Sequence, residues 1–61
     1  MIGELVRVAF LDVNPTRVRW ASGVLGVEPD EAGRIRTIVL ESDGGATFIP
    51  RSWVIKIEPE A

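Results

Sequence analysis

Ile38-Val39-Leu40-Glu41-Ser42-Asp43-Gly44-Gly45-Ala46-Thr47-Phe48-Ile49 reads as a β-hairpin folded about its middle. Asp43-Gly44 is a pair that tolerates the positive φ values of a two-residue type I′ turn. With those two residues as the loop, Glu41 opposes Ala46, Val39 opposes Phe48 and Ile38 opposes Ile49. Apolar then meets apolar in consecutive pairs on both faces, which fixes the register. Ile38-Val39-Leu40 is apolar on both faces and belongs inside the sheet, with Arg36 and Glu41 flanking it against aggregation.

Working upstream, the polar stretch from Pro29 to Gly33 closes a second hairpin, with Gly33 free to take a positive φ. Val27 is expected opposite Ile35, which sets Glu28 against Arg34. The strand before it, Arg17 to Val27, carries Arg17 and Arg19 on one side and Val18 and Trp20 on the other. Its interior glycines, in Ser22-Gly23-Val24-Leu25-Gly26, predict a bend. The first strand, Glu4 to Leu11, alternates Val6, Val8 and Phe10 with Leu5, Arg7, Ala9 and Leu11, and ends at the turn pair Asn14-Pro15. Downstream of the opening hairpin, Pro50 to Trp53 is too short for an α-helix and suits one 3₁₀ turn. Val54 to Glu58 is the last strand, with Ile55 and Ile57 expected inward and Lys56 outward. Eight valines and six isoleucines agree with strand throughout, and the four prolines fall between the apolar runs. The expectation is a single all-β domain over residues 1–61, with five antiparallel strands and one 3₁₀ turn before the last.

This plan resembles the SH3-like small barrel, and Ile49-Pro50-Arg51-Ser52-Trp53-Val54 carries the resemblance. It looks like that family's ending of an aliphatic or aromatic residue, Pro, two residues, an aromatic and Val. Ala9-Phe10-Leu11-Asp12-Val13 is a fainter echo of the Ala-Leu-Tyr-Asp-Tyr near the start of peptide-binding members. Leu11 and Val13 stand where the ligand-contacting tyrosines would be, and no tandem Trp follows the second strand. The resemblance therefore implies the barrel, with Pro50 and Trp53 as groove positions, and does not imply polyproline recognition. Sm-like and PRC-type small barrels also resemble parts of Gly33 to Ile57.

Sixty-one residues leave no mass for a catalytic domain, and a total stability of roughly 3–9 kcal/mol is expected from the chain length. With neither Cys nor His, the usual zinc and iron–sulfur ligand sets are missing, and neither cofactor nor metal is expected. The formal net charge of −2 repels phosphate, which disfavours duplex DNA. The N-terminus lacks the pattern of a signal peptide and no apolar run is long enough to span a membrane, so the chain reads as a cytoplasmic protein. Glu41 with Asp43, and Asp30 with Glu31, are the close carboxylate pairs. Each sits at a hairpin turn, where carboxylates form turns or solubilise. No serine, threonine or lysine lies near a recognisable base, and an enzyme is not expected.

The expectation is a protein–protein interaction module, with Trp53, Pro50, Arg51 and Trp20 as candidate partner-binding residues. An exposed Trp beside an Arg has hot-spot composition. The competing reading places both tryptophans as plugs at the ends of the barrel. Small size and arginine-rich composition suggest, by association only, a regulatory or phage-encoded, host-directed protein. Paired copies in a homodimer would cover any strand edge a single copy leaves open. A rival reading gathers Arg17, Arg19, Arg34, Arg36 and Arg51 beside a tryptophan to hold RNA or single-stranded nucleic acid. On half-exposed strands, however, alternating arginines commonly form a solvated face paired to carboxylates. A third reading is a structural subunit of an assembly.

Overall fold

A computed structural model describes residues 1–13 and 16–60. Five strands follow in order: β1 (Leu5–Val13), β2 (Thr16–Pro29), β3 (Ile35–Ser42), β4 (Gly45–Pro50) and, after a 3₁₀ turn at Arg51–Trp53, β5 (Val54–Pro59). They form one antiparallel sheet in the order β4-β3-β2-β1-β5. The ladder does not close into a barrel, because β4 and β5 are edges joined by the 3₁₀ turn and not by strand pairing. The expected Asn14-Pro15 turn lies outside the described residues.

The bend in β2 makes one sheet able to enclose a core. Fourteen residues of straight strand would span about 43 Å, whereas the molecule measures 30 × 30 × 20 Å. β2 pairs with β1 as far as Val24 and with β3 from Val24 onward. At this handover a Cβ on Gly23 would sit 2.7 Å from the Glu41 carbonyl oxygen and 3.1 Å from the Glu41 nitrogen. In a flat sheet a Cβ stands clear of the neighbouring strand, some 4.8 Å away. The strand is therefore folded sharply over β3, and only glycine fits at the crease.

The face enclosed by this fold holds Val6, Val8, Leu25, Ile38, Leu40 and Ile49, all buried, with Phe10, Ala21, Val27, Trp53, Val54 and Ile57 packed against them. Burying each large side chain contributes about 1.5–3 kcal/mol. The hairpin between β3 and β4 has the expected register, Glu41 to Ala46, Val39 to Phe48 and Ile38 to Ile49. Its turn is not type I′: among the described residues only Gly3, Gly33 and Gly45 have positive φ, so Asp43 and Gly44 do not, and the strain-free glycine is Gly45 at φ 123°.

Two further expectations are corrected. Val27 pairs with Ile38 and Glu28 with Thr37, because Pro29 ends β2 in a register shift opposite Ile35. The cause is Asp30, whose Oδ1 accepts from the amides of Ala32 (2.8 Å) and Arg34 (3.0 Å) and holds the loop tight. Glu28 consequently meets Arg36, at 3.9 Å, and not Arg34. Ile55 is 54% exposed, because an irregularity where β1 pairs with β5 leaves it outside the register between Val54 and Lys56.

Candidate binding face on the outer side of the sheet

Successive residues of a strand point to opposite faces, and Val8 opposite Ala21 marks the inner side of the β1–β2 ribbon. Phe10 and Asp12 on β1, with Arg19 and Arg17 opposite them, share that inner side. Leu5, Arg7, Ala9, Leu11 and Val13, with Val24, Ser22, Trp20, Val18 and Thr16 opposite them, form the outer side. The hydrophobic pattern of this ribbon is thus inverted at its tip: the arginines lie on the core side of the sheet and the apolar side chains face solvent. Leu5, Val13 and Val18 are each more than half exposed, and Trp20 is 47% exposed.

Trp20 is the centre of this outer face. Cross-strand pairing sets it beside Ala9, which pairs on its other side with Lys56. The Arg7 guanidinium lies 4.5 Å and the Lys56 ammonium 5.8 Å from the indole ring centre. Such cation–π contacts are worth about 0.5–1 kcal/mol each at exposed sites. Ala9 is only 2% exposed despite its outward direction, so the larger neighbouring side chains cover it. Glu58 draws the same two cations together, at 2.9 Å from Lys56 and 3.4 Å from Arg7.

The residues singled out from the sequence fall in separate places. Trp20 is no barrel plug; it stands on the outer face because Ala21, not Trp20, opposes buried Val8. Trp53 is half-buried against the core, on the inner side. Pro50 ends β4 opposite Thr37, and Arg51 is exposed at the start of the 3₁₀ turn. Arg51 borders a groove of about 430 Å³, whose other walls include Ile2, Ile35, Ile55 and Val54. The five arginines do not gather on one surface. Arg17 and Arg19 sit at one end of β2, whereas Arg34 and Arg36 sit at its other end, with Arg51 next to the Thr37–Pro50 pair. Arg19 is held by Asp12 at 3.1 Å and Arg36 by Glu28.

The titration behaviour follows these pairs. The hydrogen bond from Arg19 holds the Asp12 carboxyl below its ordinary range, and that from Lys56, aided by Arg7, does the same for Glu58. Both shifts keep a carboxylate ionised, the opposite of what a general acid requires. Asp30 is used by its loop. Among the described residues no three His, Cys, Asp or Glu side chains come together as metal ligands, and no helix is long and apolar enough to cross a membrane.

In comparisons with known proteins, the chain matches no family model, no curated protein and no solved structure. The sequence pattern points to Trp53 ahead of Trp20, whereas Trp20 is the more exposed of the two. The signal for Trp20 was the cross-strand parity with Val8, which needs the turn between β1 and β2 to be known.

Proposed function

We propose that this chain is a non-enzymatic, SH3-like small-barrel module that binds another protein through the outer face of β1 and β2, centred on Trp20. The single observation that carries this reading is the inverted pattern of the ribbon tip, which spends Leu11, Val13, Val18 and Trp20 on solvent. A local rule broken in this way is expected at functional sites, where covering by a partner supplies the compensation. The order of the strands and the 3₁₀ turn before β5 support the small-barrel reading. Leu11 and Val13, which stand where peptide-binding relatives of that fold carry ligand tyrosines, lie on this face. The flanking cations Arg7 and Lys56 select the chemistry of the partner: an apolar segment with acidic flanks.

A nucleic-acid reading keeps one favourable feature, an exposed indole with two cations beside it. It loses the five-arginine surface, and the net charge opposes it.

The two readings separate in one titration. Isotope-labelled protein is mixed with a peptide of alternating leucine and aspartate, its leucine–lysine counterpart, or an oligothymidylate, and amide shifts are mapped by NMR. The acidic peptide is expected to move the resonances of Leu11, Val13, Val18 and Trp20, with Trp20→Ala abolishing the effect in a protein that melts within a few degrees of the parent. Shifts centred on Trp53, or binding of the oligothymidylate alone with steep salt dependence, would refute the reading.

A further inference from the structure

We propose that β4 is a self-pairing edge, and that two copies of this chain join antiparallel across a two-fold axis at Phe48. This inference is independent of the Trp20 face. It starts from which main-chain groups of β4 are free. Pro50 occupies a ladder position opposite Thr37 but has no N–H to give, so that position is not a hydrogen-bonded pair. In an antiparallel ladder the two kinds of pair alternate. Ile49 and Thr47 therefore bond to β3, and Phe48 and Ala46 turn their N–H and C=O groups away from it. Among the described residues no strand lies beside that edge.

Native edge strands are protected by charge, proline or bulges against pairing with another chain. β5 has all three: Lys56 and Glu58, Pro59, and the irregularity at Ile55. β4, Gly45-Ala46-Thr47-Phe48-Ile49-Pro50, has no charged residue and a terminal proline only, and its Phe48 is 58% exposed. The unprotected edge thus carries its exposed large apolar side chain in register, whereas Ile55 of β5 is exposed at an irregularity in the ladder.

The occupant follows from self-complementarity. Antiparallel pairing about Phe48 lets each Phe48 amide donate to the Phe48 carbonyl of the other copy. It also lets each Ala46 amide donate to the second lone pair of the other copy's Pro50 carbonyl, which as N-cap of the 3₁₀ turn already accepts the turn's first bond. Pro50 is extended, with φ −54° and ψ 135°, as this requires. The two Phe48 rings meet on the outer face. At the ends of the seam, Arg51 of one copy comes opposite Gly45 of the other, beside the Asp43-Gly44 turn and the end of β3 with Glu41, twice. Among the described residues Arg51, Glu41 and Asp43 have no ion-pair partner within the molecule. A strand basic at one end, acidic at the other and neutral between is matched by a reversed copy of itself.

Sedimentation velocity across a concentration series, paired with amide hydrogen exchange, tests this. The parent is expected to sediment as monomer and dimer in exchange, with the Ala46 and Phe48 amides protected only in concentrated solution. Phe48→Pro removes an edge donor without removing a bond to β3 and is expected to leave monomer; Phe48→Lys does the same by charge. Arg51→Glu or Asp43→Arg alone should weaken the dimer by roughly tenfold at low salt, and the double variant should restore it. A parent that stays monomeric in concentrated solution, a ring or polymer instead of a dimer, edge amides unprotected at every concentration, or a double variant weaker than both singles would overturn the proposal.

Discussion

Replacing Gly23 by alanine tests the crease on which the whole fold turns. The added Cβ would meet the Glu41 carbonyl oxygen at 2.7 Å and the Leu40 carbonyl carbon at 3.1 Å, where ordinary contact begins at 3.4 Å. These are backbone atoms of a strand paired on both sides, so they cannot rotate away. Forcing extra volume into such a site costs about 1–3 kcal/mol, and the reduced freedom of the unfolded chain returns about 0.4–1 kcal/mol. A net loss of about 1.3 kcal/mol at mid-range (about 0–2.6) follows, which for a domain of this size lowers Tm by about 5–10 °C at mid-range. Gly26→Ala is the internal control, because its Cβ would find only Val39 atoms at 3.8 Å. There the unfolded-state effect acts alone, and Tm should rise by about 2–8 °C. Thermal melts followed by far-UV circular dichroism on the three proteins are sufficient. If the Gly23 and Gly26 variants shift together, in either direction, β2 is not creased against β3 and the enclosed core has to be rebuilt.

Two further outcomes follow from the loop and the ion pairs. Asp30→Ala deletes the acceptor of two loop amides and should cost about 1 kcal/mol, whereas Asp30→Asn, which keeps an acceptor, should lose about half as much; equal melting of the two variants would remove Asp30 from its role. Asp12 and Glu58 have carboxyls lowered by Arg19 and by Lys56 with Arg7, so the unfolded chain takes up protons first on acidification. Their stabilisation is complete above the unfolded carboxylate values of about 4 and is lost as pH falls through the lower folded values. The parent Tm should therefore fall from about pH 5 downward, more steeply than in an Arg19→Gln, Lys56→Gln double variant, and identical slopes would show that the pairs are not held.

Most of the fold was legible because its information is local. The Asp43-Gly44 pair marks the two-residue loop, although Gly45 and not that pair takes the positive φ, and a two-residue loop dictates every partner along β3 and β4. Val6, Val8 and Phe10 declared the inner face of β1 by period two alone. What was hidden depended on a partner strand. Ile55 follows the alternation of β5 in sequence, yet the mismatch with β1 after Ala9 turns it out of the register, and nothing in Val54-Ile55-Lys56-Ile57 records that. The Pro29 register shift was likewise invisible until Asp30 was seen to accept two amides and shorten the loop. Trp20 was the instructive case. Arg17-Val18-Arg19-Trp20 is the pattern of a strand with its apolar residues inward, and a stability argument reads it that way. The register with β1 forces the opposite, since Val8 and Ala21 already occupy the core side. Function is the expected reason for a sequence to oppose its own pattern.

Smallness ties the two surfaces together. Among the described residues six side chains form the buried core and six more are partly buried against it, whereas eleven large hydrophobic side chains stay exposed, so folding alone leaves much apolar surface uncovered. A disulfide is one remedy for a domain of this size, and the chain has no cysteine. Contact with other chains, as proposed above, is another. The exposed indole is suited to that because Arg7 and Lys56 already hold it against Ala9, so little ordering entropy remains to be lost when a partner covers it. β4 and β1 are separated in the sheet by β3 and β2, so pairing at Phe48 does not compete with binding at Trp20. The proposed dimer joined at β4 would carry two Trp20 faces, and a partner with two matching segments would be held by both. The second contact is then intramolecular, and overall affinity rises without any new type of interaction. A weak contact at each Trp20 is sufficient under that arrangement, which is consistent with a face that is solvated and partly neutralised by Glu58 in the single chain.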